Sequence, residues 1–157
     1  MNQMLLVVVP CGRGKVWDKH PELRDVKATE AYIGPPFKLN KAFAEKFADR
    51  WLILSAKYGF IEPDFSIPEH YDVSFNNLES NPVSLTMLRK QVETKALGVY
   101  DVVVALGGKN YTCIVKAAFP CARVIAPAEG LPIGLAMKLV KTLLRLDKEQ
   151  MINKLMQ

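Results

Sequence analysis

A chain of 157 residues, half of them hydrophobic and 9% aromatic, can bury one well-formed core and is short for two ordinary domains, so a single domain over residues 1–157 is expected. The net charge of +5 is dispersed, with no basic run or tail; it permits binding to phosphates but supplies no basic arm for nucleic acid. No apolar stretch is long enough to span a bilayer and no basic leader precedes Met4–Pro10, so a cytoplasmic protein without a membrane partner is expected. The cysteines Cys11, Cys113 and Cys121 are odd in number and lack metal-type spacing, which argues against a disulfide framework or a structural zinc site.

Met4-Leu5-Leu6-Val7-Val8-Val9 is apolar and β-branched and stops at Pro10, the pattern of a buried first strand. The loop Cys11-Gly12-Arg13-Gly14-Lys15 follows at once. Its glycines let backbone amides approach a ligand, and Arg13 and Lys15 add positive charge, which together make a phosphate or carboxylate cradle. The loop lacks a P-loop ending and a phosphatase arginine, and a plain tight turn is the competing reading. Cys11 beside these cations is a candidate nucleophile, against the alternative of a simply packed thiol. Residues 16–36 form a long polar excursion with one short helix around Asp25–Tyr32, closed by Gly34-Pro35-Pro36. Phe37–Asp49 then spaces Phe37, Phe43, Ala44 and Phe47 as the inward face of an amphipathic helix.

Trp51-Leu52-Ile53-Leu54 reads as a second buried strand that runs directly into Ser55-Ala56-Lys57-Tyr58-Gly59-Phe60. Ligands of open α/β sheets sit beyond the carboxyl ends of such strands, so Ser55, Lys57, Tyr58 and Gly59 are placed at a site mouth. A Ser55–Lys57 dyad would need a neutral lysine within reach of the serine; the competing reading has Ser55 satisfying backbone groups and Lys57 clamping charge. The proline-rich stretch 61–81 is expected to be irregular, and Asn81-Pro82 to cap a helix over Val83–Leu97. Asp101–Leu106 is a third strand with the exit Gly107-Gly108. Asn110 to Phe119 is a helix in which Cys113, like Cys121 after it, reads as a core position. Ala122–Ala126 is a fourth strand, and Glu129-Gly130 precedes an apolar helix through Leu146. A last helix over Lys148–Met156 carries Met151, Ile152, Leu155 and Met156 on one side, a stripe expected to support a homodimer, with docking inside a monomer as the competing reading.

Strands separated by helices predict a three-layer α/β domain with a mainly parallel sheet of about four strands and helices on both faces. Its exits bring Cys11–Lys15, Ser55–Gly59, Gly107–Tyr111 and Pro127–Gly130 to one edge. In that arrangement Cys11, Ser55, Lys57 and Glu129 are the catalytic candidates, Glu129 as hydrogen-bond acceptor or general base against a structural role at a helix N-terminus. Arg13, Lys15, Tyr58, Gly59, Gly107, Tyr111 and Gly130 are the binding candidates, with the cations on phosphate and Tyr58 or Tyr111 stacking on a ring. His20 and His70 are isolated, and no ligand spacing supports a metal. No particular cofactor is indicated.

Pro10-Cys11-Gly12-Arg13-Gly14-Lys15, Tyr32-Ile33-Gly34-Pro35-Pro36-Phe37 and Leu54-Ser55-Ala56-Lys57-Tyr58-Gly59-Phe60-Ile61-Glu62-Pro63, with Tyr71-Asp72 and Gly130–Gly134, resemble a bacterial and phage family of unknown function. Leu-Ser-Ala-Lys-Tyr-Gly is the most specific segment. That family is similar, more distantly, to the YaaA peroxide-stress proteins and to a domain attached to archaeal tRNA-guanine transglycosylase relatives, which implies nucleobase or nucleic-acid work. The resemblance assigns no catalytic residue. Two functions are therefore expected to compete. One is a domain that holds a nucleobase, nucleoside or nucleotide at the strand mouths, in nucleic-acid modification or repair. The other is a non-catalytic DNA- or RNA-binding accessory protein that uses the same surface for backbone contacts.

Overall fold

The computed structural model describes residues 4–157. Leu5–Pro10 (β1), Arg50–Ser55 (β3), Val102–Ala105 (β6) and Arg123–Ile125 (β7) form the parallel part of one sheet, and Gly59–Ile61 (β4) adds an antiparallel edge next to β3. The sheet order is β4-β3-β1-β6-β7. Val26–Lys27 (β2) and Ser66–Ile67 (β5) make a separate two-stranded antiparallel ribbon, with the short helix Ala28–Ala31 (α1) beside it.

β1 is hydrophobic on consecutive positions because both of its faces are covered. Leu5, Val7 and Val9 pack on the side of Pro35–Phe47 (α2), Ile133–Leu144 (α5) and Lys148–Leu155 (α6), while Leu6 and Val8 face Leu85–Thr94 (α3) and Lys109–Ala118 (α4). A period of two on a strand gives each face its own set. The expected three-layer α/β architecture is present. The expected aromatic face on α2 is too: Phe37, Phe43, Ala44 and Phe47 are buried along it. Each fully buried aromatic contributes about 1.5–3 kcal/mol relative to exposure, which anchors α2 firmly against β1. α2 begins at Pro35, directly after Gly34, because proline at the first helical position loses no hydrogen bond.

Several boundaries differ from expectation. Gly59-Phe60-Ile61 forms a strand, too short to show an alternating pattern, and the ribbon of β2 and β5 rests on tertiary pairing alone. Asn81 does not cap α3. It sits in the left-handed region (φ 60°) at the end of a 3-10 turn, and Ser84 is the cap, accepting from Met87 N–H. Cys113 and Cys121 are exposed. α4 buries Thr112, Val115 and Ala118, so position 113 turns away from the sheet, and Cys121 lies in the turn before β7.

The α6 stripe is used within the chain. Met151 is fully buried, and Ile152, Leu155 and Met156 pack with it against Leu5, Val102, Val104 and Ile125. The outer half of the sheet beyond α5 needs a cover, and α6 supplies it, which removes the apolar surface on which the dimer expectation relied. Among the described residues, no helix is long and apolar enough to cross a membrane.

The order β3-β1-β6-β7 contains one reversal. The chain leaves β1 through α2 on one face to reach β3, then returns through α3 on the other face to β6, on the far side of β1. The crevice between the β1 and β6 exits is therefore the topological switch point, where open α/β sheets place their ligands.

Candidate functional site

At this crevice lies a cleft of about 340 Å³. The strand exits contribute Pro10, Cys11, Gly107 and Gly108. α2 contributes Pro36 and Asn40, α4 contributes Asn110 and Tyr111, and α5 contributes Ile133, Ala136, Met137 and Val140. Gly107 has φ +98°, and a Cβ there would stand 2.6 Å from Pro10 Cγ. Glycine thus lets the two exits approach closely and sets the width of the opening. Asn40 is 8% exposed, yet its amide lines the cleft and has no hydrogen-bond partner among the described residues. α4 starts at the cleft behind Gly108 with no side-chain cap; the Tyr111 and Thr112 amides both donate to the Gly108 carbonyl, which leaves the Lys109 and Asn110 amides without an intrahelical partner.

Cys11 joins this cleft to a cluster of hydroxyls. Its Sγ is 3.6 Å from Tyr111 Oη, and Tyr111 also donates to the Cys11 carbonyl at 3.4 Å. On the other side, Tyr32 and Tyr71 share a hydrogen bond, and Tyr71 Oη lies 2.9 Å from Ser55 Oγ. Burial raises all three tyrosines above their ordinary value, and electrostatic opposition from neighbours, Cys11 among them, adds to the shift. They stay protonated and able to donate across the physiological range. Lys15 Nζ sits 4.8 Å, and Lys57 Nζ 5.8 Å, from the centre of the Tyr71 ring.

The candidates named from the sequence divide into two groups. Cys11, Gly107 and Tyr111 line the cleft, while Lys15, Ser55, Lys57 and Tyr58 surround Tyr71. Ser55 is fully buried and accepts hydrogen bonds from the Lys57 and Tyr58 amides at 3.2 Å each. Lys57 Nζ makes no hydrogen bond to Ser55 Oγ among the described residues; it lies over the Tyr58 and Tyr71 rings. The Tyr58 ring packs on Phe65 and Tyr71 at centroid distances of 5.2 and 5.5 Å, so Tyr111 is the stacking candidate that reaches the cleft. Gly59, at φ +78°, leaves room for Gln91, which accepts from Phe60 N–H and donates to the Tyr58 carbonyl. Arg13 is exposed on its loop, close enough to Tyr111 to act on it electrostatically.

Glu129 accepts from Thr112 Oγ1 at 2.5 Å and from Lys116 Nζ at 2.8 Å, bonds that hold its carboxyl below the usual range. It fastens the loop after β7 to α4. Gly130, at φ +83°, turns that loop with open space around it.

Among the residues of this region that were not candidates, Asn40, Tyr32 and Tyr71 bear most on its chemistry. Asn40 carried a legible signal, since it falls between Phe37 and Phe43–Ala44 on the buried stripe of α2, where a polar residue is out of place. Tyr71 carried only its place in the Tyr71-Asp72 segment of the family resemblance, because it lies in irregular chain and reaches Ser55 only through tertiary folding. Among the described residues, no group of three His, Cys, Asp or Glu side chains converges as a metal site.

The Uncharacterized protein YfjM of Bacillus subtilis (strain 168) is 37% identical over 112 residues, an alignment covering 71% of this chain and 75% of that protein. No solved structure matches. A family model described as "Family of unknown function (DUF6884)" matches residues 6–142, from β1 through most of α5 and so across both groups of site residues, and the chain belongs to that family.

Proposed function

We propose that this protein holds a nucleobase, nucleoside or nucleotide in the cleft between the β1 and β6 exits. The observation that carries the reading is the Asn40 amide, which belongs to a residue only 8% exposed, makes no hydrogen bond among the described residues and is open to a cleft whose other walls are largely apolar. A hydrogen bond made to such an amide contributes about 0.5–1.5 kcal/mol. A heterocycle edge with adjacent donor and acceptor would satisfy it, as asparagine amides do when they read adenine. The Lys109 and Asn110 backbone amides at the start of α4 offer further polar contacts, and Pro10, Ala136, Met137 and Val140 supply apolar surface for ring faces. A cleft of this size whose lining carries no cation favours a small ligand over a nucleic-acid backbone, which needs an open basic face. A contribution to nucleic-acid modification or repair would follow from handling such ligands and extends the resemblance to the YaaA proteins and the transglycosylase-associated domain.

The test is calorimetric titration with the common nucleobases, ribonucleosides and 5′-monophosphates. Saturable binding by one base class is expected, weakened at least about tenfold by Asn40→Leu, which removes the amide while keeping the volume. If no compound binds, and affinity appears only for a polynucleotide and falls steeply with salt, the accessory nucleic-acid reading replaces this one.

A further inference from the structure

The Tyr71 neighbourhood combines an unmatched donor with unmatched charge. A hydroxyl has one hydrogen and two acceptor positions. Ser55 Oγ accepts from two amides, so its own hydrogen goes to Tyr71 Oη. One further hydrogen joins Tyr71 to Tyr32. The tyrosine pair therefore keeps one hydroxyl hydrogen with no acceptor assigned among the described residues, on rings that are only 2% and 4% exposed. Lys15, 7% exposed, makes one long hydrogen bond, 3.4 Å to the Arg13 carbonyl, and stands over the same Tyr71 ring as Lys57. Among the described residues no carboxylate pairs with either lysine, although Arg50, Lys116 and Lys148 all find one. Burying an ammonium without a counter-charge is costly, and a bound anion removes that cost.

We propose that Lys15, Lys57 and the Tyr71–Tyr32 hydroxyl pair form an oxyanion subsite that takes the terminal phosphate of a nucleoside monophosphate. The identity of the remainder of that ligand rests on the heterocycle reading; the oxyanion itself rests on this cluster alone. Cys11, which lines the cleft and lies near both tyrosines, marks where the two parts of the ligand meet. Lys57 is exposed and Lys15 lies beneath the surface, so the anion enters end-on from the Lys57 side. End-on entry suits a terminal monoester and excludes an internal phosphodiester with chain on both sides.

The experiment compares inorganic phosphate, ribonucleosides and their 5′-monophosphates by calorimetry on the wild type, Lys57→Ala and Lys15→Met, with thermal melts of each protein. Monophosphates are expected to bind at least about tenfold more tightly than the matching nucleosides, an advantage that both variants abolish. Lys15→Met is expected to melt no lower than the wild type, since it removes an uncompensated buried charge. Lys57→Ala, at an exposed position, keeps the test valid should Lys15→Met fail to fold. Phosphate binding without nucleoside binding would sustain the subsite and end the heterocycle reading. Nucleoside binding with no gain from phosphate, or a gain that survives Lys57→Ala, would overturn the subsite and leave the heterocycle reading standing. Tight oligonucleotide binding with none to monophosphates would overturn both.

Discussion

The β3 exit and the paired β1 and β6 exits lie at the same edge of the sheet, follow equally apolar strands and differ in what their polar groups do. After β3, Ser55 binds the Lys57 and Tyr58 amides and Tyr71, while Gln91 fits against Gly59 and bonds both flanking backbone groups. The backbone groups of that turn thus have partners inside the protein, whereas Lys57 Nζ, over the Tyr58 and Tyr71 rings, pairs with no carboxylate among the described residues. Between β1 and β6, the Asn40 amide faces a cleft with no partner among the described residues. The more distinctive sequence segment is thus the one whose backbone is better satisfied. A motif can be specific because a turn needs those residues, while the ligand-facing groups beside it are ordinary in sequence.

The largest expected effect comes from closing the narrow side of the cleft. Gly107→Ala places a Cβ against Pro10 at a positive φ and should cost on the order of 3 kcal/mol, read as a shifted midpoint in urea unfolding. A neutral result would mean that the β1 and β6 exits separate freely and that the cleft walls are not fixed.

Ser55→Ala comes next. It strands two amides and the Tyr71 hydroxyl in a buried site and should destabilise by about 2–3 kcal/mol. Unchanged stability with abolished function would invert the comparison and return Ser55 to the role of a nucleophile.

The smallest effect concerns Glu129. Its carboxyl is lowered from 4.5 first by the bond to Lys116 and then by Thr112, so its contribution is present above that value and is lost as pH falls through the lowered one. Glu129→Gln should flatten the acid limb of a Tm-against-pH curve and change little at neutrality. An unaltered acid limb would show that the loop after β7 is held by other contacts.

The layers of this fold were legible because their causes are local. Continuous β-branched runs can be buried on both faces only in a covered sheet, and the spacing of Phe37, Phe43, Ala44 and Phe47 leaves one helical face for the core. The edge strand Gly59–Ile61 and the ribbon of β2 and β5 were not legible, since segments of two or three residues carry no period of their own. Cys113 and Cys121 misled for a related reason: neighbours that look apolar in sequence need not share a helical face. The aromatic helix and the convergence of strand exits at one edge were thus written in the chain by itself. Strand order was decided only in three dimensions, because it depends on which face each crossover helix covers. The same holds for the Tyr32–Tyr71–Ser55 contacts and for the lysines that share one ring. They join residues as far apart as Lys15 and Tyr71, and only the folded chain brings such groups into contact.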